Sequence, residues 1–263
     1  MNAAFIKRMR RPLCTHQCLA GLLTGAELDR NCPHVDEHGA DRHAIDQPTF
    51  LRLLRRQLGQ SLDDGVHNYG TCGARGALFK ITLLSHGYTV AGKASPACHV
   101  KHLRHESKVY ERLRPIQGRA VPVHLGSFDL PQPYPYEGYI DLVHMMFMSF
   151  GGVTVLRNID DDNRSQITAQ TKWALQAMHR LGVLHRDAMP RNILWHPKNK
   201  QVMLIDFERA ELRDPPKIAP PKAPSSVCTL ENGGRLVEER INVFEKELRS
   251  AMLELSFTTR HID

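Results

Sequence analysis

The spacing of apolar residues predicts both helices and strands in the first half of the chain. In "PTFLRLLRRQLGQSL" (48–62), Phe50, Leu53, Leu54 and Leu58 recur at the helical interval, so we expect an amphipathic helix. The runs "ALFKITLL" (77–84) and "YTVAGKA" (88–94) are short and β-prone, with "SHG" between them. This pattern predicts a hairpin at the start of an antiparallel sheet.

A second helix is predicted in "HVKHLRHESKVYERLR" (99–114), where one face carries Leu103, Glu106, Tyr110 and Leu113. Because Glu106 shares this apolar face, its carboxylate needs a cationic partner. Residues 121–130 and 139–150 resume strand character. The glycines of "MSFGG" then end the run.

Two more helices are predicted toward the carboxyl end. "SQITAQTKWALQAMHRLG" (165–182) repeats apolar residues at the helical interval and ends at Gly182. In "RLVEERINVFEKELRSAMLEL" (235–255) the apolar stripe is Val237, Ile241, Phe244, Leu248 and Met252. Between them, "RDPPKIAPPKAPSS" (213–226) is too rich in proline for a regular element, which predicts an extended linker or surface strap.

Composition and charge argue against a nucleic-acid-binding protein and a membrane protein. With 263 residues, 41% hydrophobic content and a formal charge of +7, the chain can fold and attract phosphates, but it lacks the charge density of a nucleic-acid binder. We expect no membrane association, since "HMMFMSF" is too short to cross a bilayer and the first residues lack a signal core. An intracellular, cytoplasmic protein is predicted. The basic cluster Lys7, Arg8, Arg10 and Arg11 fits either nuclear import or a solvated end.

Cysteines and histidines cluster near the amino terminus. Cys14, Cys18, Cys32 and His38 form a C-x3-C…C-x5-H pattern, with His16 and His34 as alternative ligands. Three thiolates and one imidazole suit tetrahedral Zn²⁺. A set of buried thiols in a small helical cap explains the same pattern, so both interpretations stay open.

The stretch "VLHRDAMPRNILWHPKNKQVMLIDFERA" (183–210) carries the strongest chemical signal. A short strand leads to Asp187, and a two-stranded ribbon, "NILW" and "VMLI", leads to Asp206. We expect Asp187, Asn192 and Asp206 to converge. Hard oxygen donors of this kind suit Mg²⁺, and a further carboxylate can orient a hydroxyl group, as phosphoryl transfer requires.

Earlier segments supply groups that could hold a nucleotide. On the predicted strand, Ala91 and Lys93 share a face, so the ammonium can reach phosphates while the small side chain leaves room for an adenine ring. Glu106 is the expected counter-ion of Lys93. In "GTCGARGALF", Gly70, Gly73 and Gly76 can let backbone N–H groups approach a triphosphate.

These features occur in an order that resembles the protein-kinase-like superfamily over residues 68–210. They are the glycine-rich hairpin, the "VAGK" lysine, the helix glutamate, the "FMSFGG" hinge, the "HRDAMPRN" loop and "IDFE". Other stretches, such as "PIQGRAVPVHLG", are similar to a group of fungal kinase-like proteins of unknown substrate. The resemblance implies an α+β, two-lobed fold with a small antiparallel-sheet N-lobe and a reduced, mainly helical C-lobe. The expected parts are a helical extension with the Cys/His cluster (1–67), an N-lobe (68–150) and a C-lobe with the strap and last helix (151–263).

The resemblance also implies roles for the site residues and the use of ATP and Mg²⁺. Asp187 would be the catalytic base, and Arg191 would steady the transferred phosphate. Asn192 and Asp206 would bind Mg²⁺. Lys93, paired with Glu106, would anchor phosphates. The hinge backbone near Met148 would bind adenine.

Departures from the family pattern leave the activity open. Glu208 replaces the usual glycine of the metal loop, as in choline-kinase-like enzymes, and Met189 replaces a lysine. Thr71 stands at the first glycine position unless Gly70 substitutes by a one-residue shift. No Ala-Pro-Glu segment follows, and 54 residues remain after Arg209. The leading interpretation is an ATP- and Mg²⁺-dependent phosphotransferase acting on a hydroxyl group of a protein or small molecule. The alternatives are a small-molecule kinase of the choline kinase or aminoglycoside phosphotransferase type and a pseudokinase that binds nucleotide or partners.

Overall fold

An antiparallel sheet dominates the first half of the computed structural model, which describes residues 11–73, 76–215 and 243–258. Its five strands lie in the order β1-β2-β3-β5-β4. Their bounds are β1 Val66–Gly73, β2 Gly76–Leu83, β3 Tyr88–Pro96, β4 His124–Tyr136 and β5 Ile140–Met148. The predicted hairpin is thus confirmed as β2 and β3, which pair from Ala77 opposite Ala94 to Leu83 opposite Tyr88.

Helices cover both faces of this sheet. Among the described residues, four α-helices precede the second half of the chain: α1 His16–Thr24, α2 Val35–His38, α3 Gln47–Gln60 and α4 Val100–Arg112. Alternate residues of β5 point to opposite faces of the sheet. Met146 lies in the core that contains Tyr110 of α4, whereas Phe147 lies in the core that contains Phe50 of α3. Helix α3 therefore buries one face of the small lobe and α4 buries the other.

The second half of the described chain contains two long helices and two small sheets. Helix α5 (Asp161–Arg180) begins with a capping box between Asp160 and Asn163, which satisfies amide groups of its first turn. Helix α6 spans Val243–Phe257. Strands β6 (Val153–Thr154), β8 (Ile193–His196) and β9 (Gln201–Leu204) form one sheet, and β7 (Val183–Leu184) pairs with β10 (Glu211–Leu212). The mixed α+β, kinase-like architecture expected from the sequence is confirmed.

Strand β4 continues further than its sequence predicts. We expected strand structure over 121–130, yet β4 runs to Tyr136 through Pro131, Pro133 and Pro135. Proline cannot donate a ladder hydrogen bond, so a central strand would exclude it. Pro131 and Pro133 lie in the register break between Asp129 and Tyr134, and Pro135 lies opposite Asp141 of β5. Because β4 lies at the edge of the sheet, one side of the strand has no partner to bond, so prolines are tolerated there.

Several predicted features lie outside the described residues. They are Lys7, Arg8 and Arg10 of the basic cluster, residues 216–226 of the proline-rich segment, and Val237 and Ile241 of the last apolar stripe. The described stripe residues Phe244, Leu248 and Met252 are half-buried, and Leu248 and Met252 pack against the core of the second lobe. The fully buried residues of this helix are Ala251 and Leu255, which lie beside the predicted stripe. Among the described residues, no helix is both long and apolar enough to span a membrane.

Candidate active site

Lys93 lies between two carboxylates from distant parts of the chain. Its Nζ donates hydrogen bonds to Glu106 Oε2 and to Asp206 Oδ1, both at 2.7 Å. The second partner is 113 residues away in sequence. Lys93 therefore joins the small lobe to the loop that follows β9.

The local structure explains why these side chains meet. Lys93 is central in β3, opposite Leu78 of β2 and Met146 of β5. Glu106 is on the buried face of α4 and is 1% exposed. Asp206 follows β9 with φ of 68°, a left-handed conformation that aspartate adopts more readily than most residues. At this turn the backbone leaves the direction of β9, and the Asp206 carboxylate contacts Lys93.

The electrostatics of the cluster follow from burial and pairing. Burial alone would lower the pKa of Lys93, but Glu106 and Asp206 outweigh it and raise that pKa above its ordinary value. Burial alone would raise the pKa of Asp206, but Lys93 outweighs it and lowers that pKa. For Glu106, burial prevails over Lys93 and raises the pKa. Asp206 is therefore the carboxylate with the stronger preference for the charged form.

The second group of predicted site residues lies on the loop between β7 and β8. Asn192 Nδ2 donates to the backbone oxygen of Asp187 at 2.9 Å and to Asp187 Oδ2 at 3.1 Å. Arg191 donates to Asp187 Oδ1 at 2.5 Å. Because its amide nitrogen faces Asp187, Asn192 can offer its amide oxygen to a cation.

Backbone hydrogen bonds connect this loop with the Asp206 turn. Ile205 N–H donates to the Asn192 carbonyl, and His185 Nε2 donates to the Ile205 carbonyl, both at 3.0 Å. The ring of Phe207 packs edge-on against Tyr110, with centroids 5.0 Å apart. His185 thus bridges the Asp187 loop to the Asp206 turn.

Sequence reasoning missed Glu247 of α6, which supports the same loop. Its Oε2 accepts from His179 Nε2 at 2.7 Å and from the His185 N–H at 3.1 Å, and its Oε1 accepts from the Arg186 N–H at 2.6 Å. Burial would raise the pKa of Glu247, but these hydrogen bonds lower it. Arg186 has φ of 64°, so Glu247 holds a backbone segment that is strained for a non-glycine residue.

The residues predicted to contact phosphate and adenine lie in strands of the same sheet. Gly73 pairs with Gly76 where β1 and β2 approach each other. A Cβ on Gly76 would lie 2.1 Å from the Ala94 carbonyl oxygen, so close strand packing alone explains this glycine. Ala91 is partly exposed and pairs with Met148, whose side chain is 9% exposed. Gly70 also lies in β1.

The predicted thiol cluster comes together as a separate site. Cys14, Cys18, Cys32 and His38 are all buried, and their ligand atoms lie within 4.8 Å of one another. The alternative ligands point elsewhere, because His16 Nδ1 contacts Ser149 Oγ and His34 Nε2 contacts the Pro12 carbonyl. The fold therefore selects His38 from the three candidate histidines.

A pocket of about 300 Å³ opens beside the Asp187 loop. Met189, Pro190 and Arg191 contribute one wall, and Phe257 and Glu254 of α6 contribute another. Arg191 belongs both to this pocket and to the Asp187 ion pair. Arg191 therefore links the pocket to the Asp187 carboxylate.

Parts of this chain are similar to a known protein family and to known proteins. A model of the lipopolysaccharide kinase (Kdo/WaaP) family matches residues 152–222, which include the Asp187 loop and the Asp206 turn. The meiotic driver SPOK2 of Podospora anserina is 39% identical over 210 residues, which are 78% of this chain and 26% of SPOK2. Mitogen-activated protein kinase p38a of Drosophila melanogaster is 24% identical over 110 residues, which are 39% of this chain and 30% of p38a.

The described fold and the family match show a resemblance to the protein-kinase-like superfamily. The predicted resemblance is confirmed at that level by the kinase-family match and by the similarity to p38a. The matched region spans only about a quarter of SPOK2 and under a third of p38a. The activities of those whole proteins are therefore not transferred to this chain.

Proposed function

We propose that this protein is an ATP- and Mg²⁺-dependent phosphotransferase that moves the γ-phosphate to a hydroxyl acceptor. The observation that carries the proposal is the placement of Lys93 within 2.7 Å of both Glu106 and Asp206. A phosphate-binding lysine must be charged and must point toward the phosphates. The buried Glu106 carboxylate favours the charged form of Lys93 and orients its ammonium group. Asp206 brings the metal loop to the same ammonium group.

Asn192 and Asp206 fit a Mg²⁺ ion by the chemistry of their donor atoms. One offers an amide oxygen and the other a carboxylate whose pKa is lowered, and Mg²⁺ takes such hard oxygen ligands together with phosphate oxygens. When bound, the ion would neutralise charge on the transferring phosphoryl group. The residues of the chain contribute binding, orientation and proton acceptance.

Asp187 is the proposed base that aligns the acceptor hydroxyl. Hydrogen bonds from Arg191 and Asn192 fix both of its carboxylate oxygens, which limits its orientation toward the reacting atoms. Arg191 also provides a positive charge that can stabilise the transferred phosphate. The pocket beside Arg191 is the proposed entry for the acceptor.

Turnover of labelled ATP tests this proposal. The full chain is incubated with Mg²⁺ and γ-labelled ATP, alone and with generic peptides or a metabolite mixture. We expect Asp187→Asn to lower turnover by about 10²- to 10⁴-fold, the usual contribution of a general base, with little change in ATP binding. Asp162→Asn, at an exposed position of α5, is the matched control.

The outcome separates the proposed enzyme from a scaffold. Turnover that persists in Asp187→Asn at the wild-type rate would contradict the assigned base. ATP binding without turnover in the wild type would favour a pseudokinase, for which Glu208 and Met189 are the motivating departures.

A further inference from the structure

The cluster of Cys14, Cys18, Cys32 and His38 has the dimensions of a metal site. Sγ of Cys14 and Sγ of Cys32 each lie 3.4 Å from Nε2 of His38. Around tetrahedral Zn²⁺, bond lengths near 2.3 Å for sulfur and 2.0 Å for nitrogen place such atoms about 3.6 Å apart, and two sulfurs about 3.8 Å apart. The four donor atoms, all within 4.8 Å of one another, match this arrangement closely.

The tautomer of His38 supports the same conclusion. Nδ1 lies 2.8 Å from the His86 carbonyl oxygen. Because a carbonyl only accepts, Nδ1 must carry the proton, and neutral His38 then presents the lone pair of Nε2 to the sulfurs. Metal-bound histidines are commonly oriented by such a carbonyl.

The cluster also occupies a part of the chain that has little regular secondary structure of its own. Between residues 11 and 46, the regular helices are α1 with nine residues and α2 with four. Helices this short are marginal in isolation, so their order depends on tertiary contacts. The three cysteines are free thiols, so no disulfide supplies a cross-link.

The N-terminal module, residues 11–46, meets the sheet at the cluster itself. Cys14 N–H donates to the Thr89 carbonyl at 2.9 Å, and Thr89 N–H donates to Cys14 Sγ at 3.3 Å. The His38 ring stacks on Tyr88 with centroids 4.0 Å apart. At the first residue of α1, His16 contacts Ser149, the residue that follows β5. Fixing the cluster therefore also fixes where the module meets β3 and the start of the hinge.

We propose that Cys14, Cys18, Cys32 and His38 form a closed structural Zn²⁺ site that fastens the N-terminal module to the sheet. The metal would displace the three thiol protons to solvent and leave no coordination position for a substrate. The site is separate from the Lys93 cluster, so it stands or falls independently of the proposed phosphotransferase activity.

Metal analysis of the purified full chain tests the proposal. After dialysis against metal-free buffer, we expect inductively coupled plasma mass spectrometry to find about one zinc ion per chain. Cys18→Ser and Cys32→Ser should lose the metal. Cys98→Ser should retain it, because Cys98 is an exposed free thiol outside the cluster. His38→Cys preserves a donor atom and should retain more zinc than His38→Ala.

A second measurement covers variants that fail to fold. Wild-type protein in which Co²⁺ replaces zinc should show the ligand-field and thiolate charge-transfer bands of tetrahedral coordination, and chelation should lower its Tm. Wild-type protein that holds no zinc after zinc supplementation, and whose Tm is unaffected by chelator, would overturn the proposal. Retention of full zinc by both cysteine variants would overturn it as well.

Discussion

Glu247 makes a quantitative prediction about how the Asp187 loop is held. Its carboxylate, 11% exposed, accepts three hydrogen bonds, of which two come from the strained His185–Arg186 backbone. Glu247→Gln keeps the size but replaces one acceptor oxygen with an NH₂ group that faces other donors. Since hydrogen bonds to a charged group contribute about 1.5–3 kcal/mol each, we expect the free energy of unfolding to fall by about 2–4 kcal/mol.

Urea unfolding of paired variants measures this effect. Glu245→Gln is the matched control, because Glu245 lies on the same helix, its side chain is 60% exposed, and its contact with Arg249 is 3.8 Å long. Such a surface pair contributes at most about 0.5 kcal/mol. Equal losses in the two variants would refute the inference that Glu247 supports the loop.

The pH dependence of the same variants gives an independent check. Because the pKa of folded Glu247 is lowered from 4.5, its contribution is complete above that ordinary value and is lost as pH falls through the folded pKa. The stability difference between wild type and Glu247→Gln should therefore narrow in acid. A difference that grows as pH falls below 4.5 would contradict the pairing.

Two further predictions concern the small lobe. Burial, with a contribution from Arg114, lowers the pKa of His124 to about 4, so the free energy of unfolding should fall from pH 6.5 toward pH 4 as the unfolded chain takes up the proton. His124→Phe, which can keep the stacking on Tyr110, should remove about 2 kcal/mol of the change in unfolding free energy between pH 7 and pH 5. An unchanged dependence of stability on pH in this variant would argue against the buried, neutral imidazole. Leu54→Ala should lower the free energy of unfolding by about 2–5 kcal/mol, because Leu54 of α3 is fully buried in the core under the sheet. The control Arg55→Ala, at an exposed position of the same helix, should change it by no more than about 0.5 kcal/mol. Equal effects in a urea titration would mean that α3 is not part of that core.

Periodicity and motif order anticipated the elements with strong local signals. The helix carrying Leu103, Glu106 and Tyr110 was predicted with the correct buried face, because a 3.6-residue period specifies a face without tertiary information. The ribbon of β8 and β9 was also predicted, since two β-prone runs flank a turn.

Long-range features were beyond the reach of the sequence. Glu247 looks like any charge on an amphipathic helix, and its partners are backbone groups about 60 residues earlier. The extension of β4 through three prolines depends on its position at the sheet edge, which local patterns do not reveal. Likewise, the choice of His38 over His16 and His34 in the thiol cluster required knowledge of where each ring points.

Calorimetric titration with ATP, in the presence and absence of Mg²⁺, tests the central claim most directly. If Lys93, Asn192 and Asp206 enclose a magnesium nucleotide, wild-type protein should bind ATP more tightly with Mg²⁺, and Asp206→Asn should lose about tenfold or more of that affinity. Asp162→Asn should bind as the wild type does. Failure of wild-type protein to bind ATP, or equal affinity with and without Mg²⁺ in both wild type and Asp206→Asn, would contradict the account.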